Sequence, residues 1–195
     1  MRKMKWLAIA ATAVMLAALT VSGSLAYFTA RDTARNVITT GSIRIRLVEH
    51  TVDENGSIVA FPEEGLSGLY PGATASKIVQ VKNTGRGEAW IRVRVEPSVL
   101  DADGKALSAT LDSGEPALTF EPLTGWTYRE GCYYYNEPVP AGELTDPLME
   151  EILFSPRIGN DYQGCTVNIL VFAQAVQTAH NGMSALEAQG WPEFS

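Results

Sequence analysis

The chain has 195 residues, 22 of them acidic and 15 basic, and a formal net charge of −7. An acidic surface repels nucleic acid and anionic membranes, so neither is an expected partner of the folded protein. The length suits one domain with a substantial core, and the sequence has no repeat or block of charge that would indicate a second domain.

The first 26 residues have the three parts of a secretory signal peptide, which we expect to be a helix. Basic residues precede an uncharged apolar run over 6–21, and the small residues Ser24 and Ala26 then occupy positions −3 and −1 of a cleavage site before Tyr27. A retained transmembrane anchor is the alternative, but the run is shorter than the roughly 20 residues that cross a bilayer.

Cleavage before Tyr27 leaves residues 27–195 as a single domain that we expect to be secreted. The signal peptide carries three basic and no acidic residues, so its removal takes the net charge from −7 to −10. The membrane is then a partner of the precursor only.

The rest of the chain has the two-residue period of half-buried strands, interrupted by turn signals. Apolar residues alternate with arginines over 43–48 and over 90–95, and Pro97 is expected to end the second of these strands. The segment 100–122 is predicted to be a loop. An apolar run over 165–176 is predicted to be a central strand of a sheet.

The only helical pattern in the mature chain is a short one over 184–189, which begins at a capping serine. Trp191 is expected to pack back onto the body. Many short strands and almost no helix predict an all-β protein, an antiparallel β-sandwich of the jelly-roll type. One short C-terminal helix follows the sandwich, and the signal-peptide helix precedes it.

Cys132 and Cys165 both fall in predicted strands of an exported chain. In an oxidising compartment they can form a disulfide, which would stabilise the fold by roughly 3–4 kcal/mol. Two separate buried thiols are the alternative, because sequence does not tell whether the two Cα atoms come within about 7 Å of each other.

An aromatic hairpin is predicted over 126–135, where Trp126, Tyr128 and Tyr134 are candidate surface aromatics. Exposed aromatic rings can stack on sugars, which makes a carbohydrate-binding or surface-binding module one possible function. Tyrosines that alternate along a hairpin are, however, more often divided between core and surface.

No metal site and no cofactor are predicted. The only histidines, His50 and His180, are far apart in sequence, and the chain has neither an HExxH motif nor a CxxC pair. The acidic turn over 101–104 begins like a calcium loop, but Asp112 stands at the twelfth position, where such a loop needs glutamate.

Several short motifs occur together and in a fixed order. They are LAYFT at 25–29, NVITTG at 36–41, YPG at 70–72, VKNTG at 81–85, IRV at 91–93, YYY at 133–135 and AQAVQ at 173–177. In combination they resemble the TasA/camelysin family of Gram-positive bacteria, exported proteins that are processed by a SipW-type signal peptidase. The resemblance covers essentially the whole chain.

The resemblance implies a jelly-roll sandwich in the extracellular matrix or at the cell surface, which assembles into biofilm matrix fibres with other copies or homologous matrix subunits as partners. It also implies donor-strand exchange, in which the freed N-terminal strand of one subunit completes the sheet of the next. The donor would be residues 27–40, with Tyr27, Phe28, Val37 and Ile38 as its apolar residues. Charged residues over 31–35 interrupt this segment, which favours insertion from Asn36 onward.

General physics also allows this assembly, because an apolar strand beside an open sheet edge can pair with another chain, and contacts that do not close give filaments. The alternative is that residues 27–40 pack in their own domain and the protein is a monomer. Camelysin-type members are classed as metallo-endopeptidases, which gives an enzymatic alternative. Because the chain lacks a zinc motif, we predict a structural protein and not an enzyme.

Overall fold

The computed structural model describes residues 28–36, 43–62, 66–101, 103–159, 162 and 165–194. Regular structure in this part of the chain consists of β-strands, so the all-β prediction is confirmed. The strands are β1 (Phe28–Asn36), β2 (Ile45–Val52), β3 (Ile58–Ala60), β4 (Leu66–Leu69), β5 (Thr74–Ser76), β6 (Ile78–Asn83), β7 (Ala89–Leu100), β8 (Ala106–Leu107), β9 (Leu118–Thr119), β10 (Trp126–Arg129), β11 (Cys132–Tyr135), β12 (Glu151–Phe154) and β13 (Thr166–Gln177).

The strands are arranged in two layers. One layer is a sheet with the order β10-β11-β7-β13-β1-β4, in which β8 pairs with the end of β7. The other layer contains the sheets β3-β2-β6 and β5-β12-β9. These two sheets are joined because the segment leading into β12 runs along β6, where the amides of Thr145 and Leu148 donate to the carbonyls of Val81 and Val79.

The main core lies between the layers and is built from alternate residues of each strand. β13 is a central strand of the large sheet, as predicted, because β7 pairs with all twelve of its residues and β1 pairs with eight of them on the other side. Every second side chain of β13 is buried in this core, as the two-residue period requires. Its members from the two layers include Ile45, Leu47, Val79, Val81, Ile91, Val93, Met149, Ile152, Phe154, Val167, Ile169 and Val171.

Lys77 is buried between the layers. Its side chain is 1% exposed, its Nζ lies 2.9 Å from Oε1 of Glu49, and the same Nζ lies 4.0 Å from the centre of the Phe61 ring. A buried ammonium is tolerated only when an opposite charge and polar contacts replace its water. The ion pair therefore fixes β2 against the junction between β5 and β6.

Two sequence predictions about strand boundaries are wrong. β7 does not end at Pro97 but continues to Leu100, with Pro97 opposite Ile169 of β13. Proline is tolerated because β11 pairs with β7 only at residues 92–93 and β8 only at 99–100, so among the described strands the other edge is unpaired at Pro97. The predicted loop over 100–122 also contains β8 and β9.

The predicted helix over 184–189 is a single hydrogen-bonded turn. The carbonyl of Ser184 accepts the amides of Glu187 and Ala188, and the turn goes no further. Gly182 and Gly190, both with positive φ, bound the segment, and six residues do not repay the cost of starting a helix. Asn181 closes this loop, since its side chain bonds the backbone of Gln189 in both directions.

Three hairpin turns over 53–57, 101–105 and 111–115 share one geometry. In each turn the first amide donates to the fifth carbonyl, and the glycine at the fourth position donates to the first carbonyl. In the first two turns a carboxylate oxygen, from Asp53 or Asp101, also accepts the third and fifth amides. The turn signals at these three positions of the sequence are thus explained by backbone hydrogen bonding.

Gly56→Ala is expected to lower the free energy of unfolding by about 1 kcal/mol. Gly56 has a φ of +79°, and no described heavy atom lies within 4 Å of a Cβ placed there, so the cost comes from backbone strain and not from a clash. Urea titration measures the loss. Gly159→Ala is the control, because that position is equally open but has no left-handed backbone; equal losses at both sites would contradict the argument.

Candidate functional site

The candidate site is the slot that β1 occupies at the edge of β13. β1 runs parallel to β13, with Thr29 opposite Thr166 and Asn36 opposite Ala173. Every other pairing between the described strands is antiparallel. Without β1, eight consecutive residues of a central strand would expose an unpaired backbone edge, which is the kind of edge that recruits another chain.

The far side of β1 is covered only at its beginning. β4 pairs with β1 at two positions, Phe28 opposite Leu69 and Ala30 opposite Leu66, and the register shifts between them. From Asp32 to Asn36 the described strands pair with β1 on the β13 side alone. β1 is therefore attached mainly through one ladder of backbone hydrogen bonds.

The predicted donor residues are only partly within the described chain. Phe28 is the first residue of β1, whereas Tyr27, Val37, Ile38 and the cleavage residues Ser24 and Ala26 lie outside the described residues. Within the subunit the charged segment itself, residues 29–36, pairs with β13, and the expectation that a donated strand inserts only from Asn36 onward stays a prediction. Backbone hydrogen bonds do not depend on side-chain polarity, so charged residues do not prevent a strand from forming there.

The outer face of the same sheet is covered by residues 191–194, which we call the C-terminal clasp. Trp191 and Phe194 stack on Arg92, with guanidinium-to-ring distances of 4.8 and 4.9 Å. Arg92 also donates from Nη2 to the carbonyl of Pro192 at 2.9 Å. Phe194 contacts Phe172 of β13 edge to face, so the clasp holds the strand that carries the slot. Trp191 packs on the body, as predicted.

Gln174 of β13 is linked to the clasp through the side chain of Arg92. Its side chain is fully buried, and its Oε1 accepts a hydrogen bond of 2.8 Å from Nε of Arg92. Its Nε2 has no hydrogen-bond partner among the described residues. The sequence did not predict this group of residues. The signal was the presence of Gln174, Arg92 and Arg94 within strands, which indicates that polar contacts cover the outer face of the sheet.

The predicted surface aromatics are mostly buried, which corrects that prediction. Trp126 is 9% exposed and donates from Nε1 to the carbonyl of Asp146, and Tyr134 is 8% exposed against the clasp. Tyr128 alone is at the surface, with 62% of its area exposed. Its ring packs on Tyr133 at 4.9 Å. Trp126 and Tyr128 lie on the same face of the hairpin, and Tyr134 lies on the opposite face under the clasp, so both faces carry a buried aromatic ring and Tyr128 is exposed at the edge of the inner one.

The two cysteines do not form a disulfide, and both are buried. Cys132 lies in the outer-face cluster under the clasp, whereas Cys165 belongs to the main core. The register places Cys132 near Arg94 and Cys165 beyond Leu100, so about six residues, or ~20 Å, of β7 separate them. A disulfide needs Cα atoms within about 7 Å.

Burial raises the pKa of both thiols. For Cys132 the positive charges of Arg92 and Arg94 offset part of this effect, and for Cys165 the nearby Asp101 adds to it. Burial likewise raises the pKa of the Tyr133 and Tyr135 hydroxyls. All four groups therefore stay neutral in the folded protein at pH values where the unfolded chain begins to ionise.

The free energy of unfolding is expected to fall as the pH rises above about 8.5, the ordinary pKa of a cysteine thiol. A raised pKa in the folded state means that the unfolded state loses its proton first, so the stability is complete below that pH and is lost above it. Urea titrations from pH 7 to 10 measure the fall. The double variant Cys132→Ala with Cys165→Ala should show a smaller fall between pH 8.5 and 9.5; an unchanged slope would contradict the assignment.

The predicted absence of a metal site concerned His50, His180 and the turn over 101–104. His50 lies on β2, and His180 lies in the turn after β13 with a φ of 56°. The carboxylate of Asp101 accepts two backbone amides, which accounts for the acidic turn without calcium. In the described part of the chain no three His, Cys, Asp or Glu side chains come close enough to share a metal ion.

Among the residues that the structure describes, no helix has the length and apolar character needed to cross a membrane. Comparison with protein-family models and with curated proteins gives no match for this chain. The arrangement of β1, β13 and β4 is therefore the basis on which a function is proposed.

Proposed function

We propose that the protein is a secreted structural subunit of an extracellular matrix fibre, and that its subunits are joined by exchange of β1. The observation that carries the proposal is the position of β1. It is the first strand after the predicted cleavage site at Ala26–Tyr27, and it fills a parallel slot beside β13. Signal cleavage would give this strand a free end, and with it the ability to leave one subunit and enter another.

Exchange is energetically plausible because the incoming strand has the same sequence as the one it replaces. The eight register pairs between β1 and β13 can be remade with a strand from another copy, so little backbone hydrogen bonding is lost. Beyond its first residues β1 pairs with β13 alone among the described strands, so fewer backbone hydrogen bonds must break before β1 is released. A one-way exchange does not close on itself and gives a filament.

We further infer that the two layers form a jelly roll and that the chain belongs to the TasA/camelysin family. Support comes from the two-layer antiparallel arrangement and from the family motifs, of which 133–135 falls on β11 and 173–177 on β13, the acceptor strand. A SipW-type signal peptidase and other matrix subunits are the partners that this membership implies. The role requires no catalysis and no cofactor.

The test compares the secreted, processed protein with a variant carrying Thr33→Pro and Ala34→Pro. Successive amides of a strand point to opposite sides, so one of these two prolines must remove a β1–β13 hydrogen bond. N-terminal sequencing should give Tyr27. Electron microscopy and light scattering should show filaments for the natural protein and for the control Thr33→Ser with Ala34→Ser, but not for the proline variant.

Filaments from the proline variant, or only monomers from the natural protein, would overturn the proposal. Far-ultraviolet circular dichroism of the proline variant shows whether the remaining strands are folded. A synthetic peptide of residues 27–36, added to a secreted chain that lacks this segment, offers a second measurement: binding is expected for the natural peptide and not for one with the two prolines.

A carbohydrate-binding module is the second candidate, and the exposed Tyr128 favours it. The ring is 62% exposed and is backed by Tyr133, which in turn packs on Phe120 at 5.4 Å. A ladder of rings at a surface can stack on sugar rings. Binding on a glycan array that is lost with Tyr128→Ala, but not with Tyr70→Ala at a comparably exposed tyrosine, would support this function.

A further inference from the structure

The segment that connects β1 to β2 starts and finishes at the same end of the molecule. β1 runs parallel to β13, so Asn36 finishes opposite Ala173, near the point where Gln177 pairs with Ala89 at the start of β7. β2 begins at the same end, because Ile45 is opposite Asn83 and the loop after Asn83 leads directly into β7. β1 is thus connected to the rest of its own subunit at this end of the molecule.

Three loops form this end, which we call the exchange pole: residues 83–88, 136–144 and 178–183. They are tied together by hydrogen bonds. Nδ2 of the fully buried Asn83 donates to the carbonyls of Gly87 and Val139, both at 2.8 Å. Thr178 donates from its amide and its hydroxyl to Glu88. The pole is therefore a preformed surface and not a set of independent loops.

The tether between β1 and the rest of its own subunit is short. Seven Cα–Cα steps connect Asn36 to Ile43, which span at most ~25 Å when fully extended. A strand donated to another copy ends opposite the acceptor's Ala173, close to the acceptor's pole. The donor's Ile43, close to its own pole, must then lie within that distance.

We propose that the exchange pole is the surface through which a second copy of this chain docks when β1 is exchanged. The inference rests on the proposed strand exchange and adds where the partner lies. Two exposed apolar side chains suit the pole for such a contact: Met183, which is 92% exposed, and Leu144, which is 42% exposed. Burial of these two side chains against a second copy would remove apolar surface from water, which favours association.

The test uses two secreted chains, each with one added cysteine and distinguishable by mass. Arg44→Cys marks the donor beside Ile43, and Gln177→Cys marks the acceptor end of β13; both positions are exposed. A bis-maleimide reagent should join them into a heterodimer only under conditions where light scattering shows assembly. Ser113→Cys, in the exposed hairpin at the opposite end of the molecule, replaces Gln177→Cys in the control and should give at least tenfold less product.

Equal yields for the two pairs in assembled samples would place the contact elsewhere and overturn this inference, while strand exchange itself would stand. No assembly and no cross-linking would overturn both. The buried Cys132 and Cys165 are not expected to compete for the reagent.

A second variant keeps the inference falsifiable without cross-linking. Met183→Asp together with Leu144→Asp should slow assembly at least tenfold and leave the urea midpoint of unfolding unchanged, because neither side chain is part of the core. Ile58→Asp, at a 66% exposed residue of β3 outside the pole, is the matched control and should assemble normally. Equal effects of the two changes would overturn the assignment of the pole.

Discussion

Replacing Lys77 by methionine is expected to lower the free energy of unfolding by about 3–5 kcal/mol. The ammonium is 1% exposed and lies 2.9 Å from the carboxylate of Glu49, which is itself 11% exposed. Methionine fills much of the same volume but leaves that carboxylate buried without its cation. It also removes the positive charge from the face of the Phe61 ring. Urea titration followed by circular dichroism measures the loss.

The double variant Lys77→Met with Glu49→Leu separates charge from packing. The double variant no longer buries the Glu49 carboxylate without its cation. Because replacing a buried ion pair by apolar side chains is often neutral or stabilising, at least half of the lost free energy of unfolding should be recovered. Lys105→Met, at an exposed lysine in a hairpin turn, is the control and should change the stability by less than about 0.5 kcal/mol. A double variant as unstable as the single one would mean that the loss comes from packing.

The strands that sequence predicted best are those with one face in the core. β2 and β7 alternate apolar residues with arginine, and burial follows that alternation over 45–47 and 91–94, whereas Trp90 on the outer face is buried as well. β13 was predicted as a central strand from its continuous apolar run, and the structure pairs it on both sides. In these cases a local pattern has only one arrangement that buries its apolar side chains.

The elements that sequence missed depend on partners far away in the chain. β8 and β9 have two residues each, too few to show the alternation of apolar and polar residues that indicates a strand. Pro97 was a sound reason to end a strand, but its effect depends on whether a neighbour pairs at that position, and no sequence pattern tells this. The turn at Ser184 has a helical sequence whose length is decided by the glycines around it.

The candidate site was predicted only in outline. An exchangeable N-terminal strand was expected, but its partner was not, because β1 and β13 come from opposite ends of the chain and pair through backbone groups. The clasp was missed for a related reason. Its rings are attracted to two arginines that looked like the solvent-facing half of an alternating strand, and only the folded chain brings Trp191 and Phe194 over them.

Replacing Arg92 by methionine is expected to lower the free energy of unfolding by about 2–3 kcal/mol and to release the clasp. The guanidinium donates to Gln174, to the Tyr134 hydroxyl and to the Pro192 carbonyl. Methionine makes none of these bonds and leaves the buried Gln174 side chain without the partner that its oxygen has now. Carboxypeptidase digestion followed by mass spectrometry should remove residues 191–195 at least tenfold faster from the variant.

Arg129→Met is the matched control, because Arg129 is an exposed arginine whose nearest carboxylate oxygen, on Glu130, lies 3.5 Å away. A surface pair of this kind contributes little, so the loss should stay below about 0.5 kcal/mol. If both variants lost the same stability, the clasp would be an ordinary tail. If only Arg92→Met releases it and filament formation also fails, the clasp supports the strand that accepts β1, since Phe194 packs on Phe172 and Phe172 pairs with Arg35 of β1. Normal filaments from the released variant would show instead that β7 alone holds β13 in place.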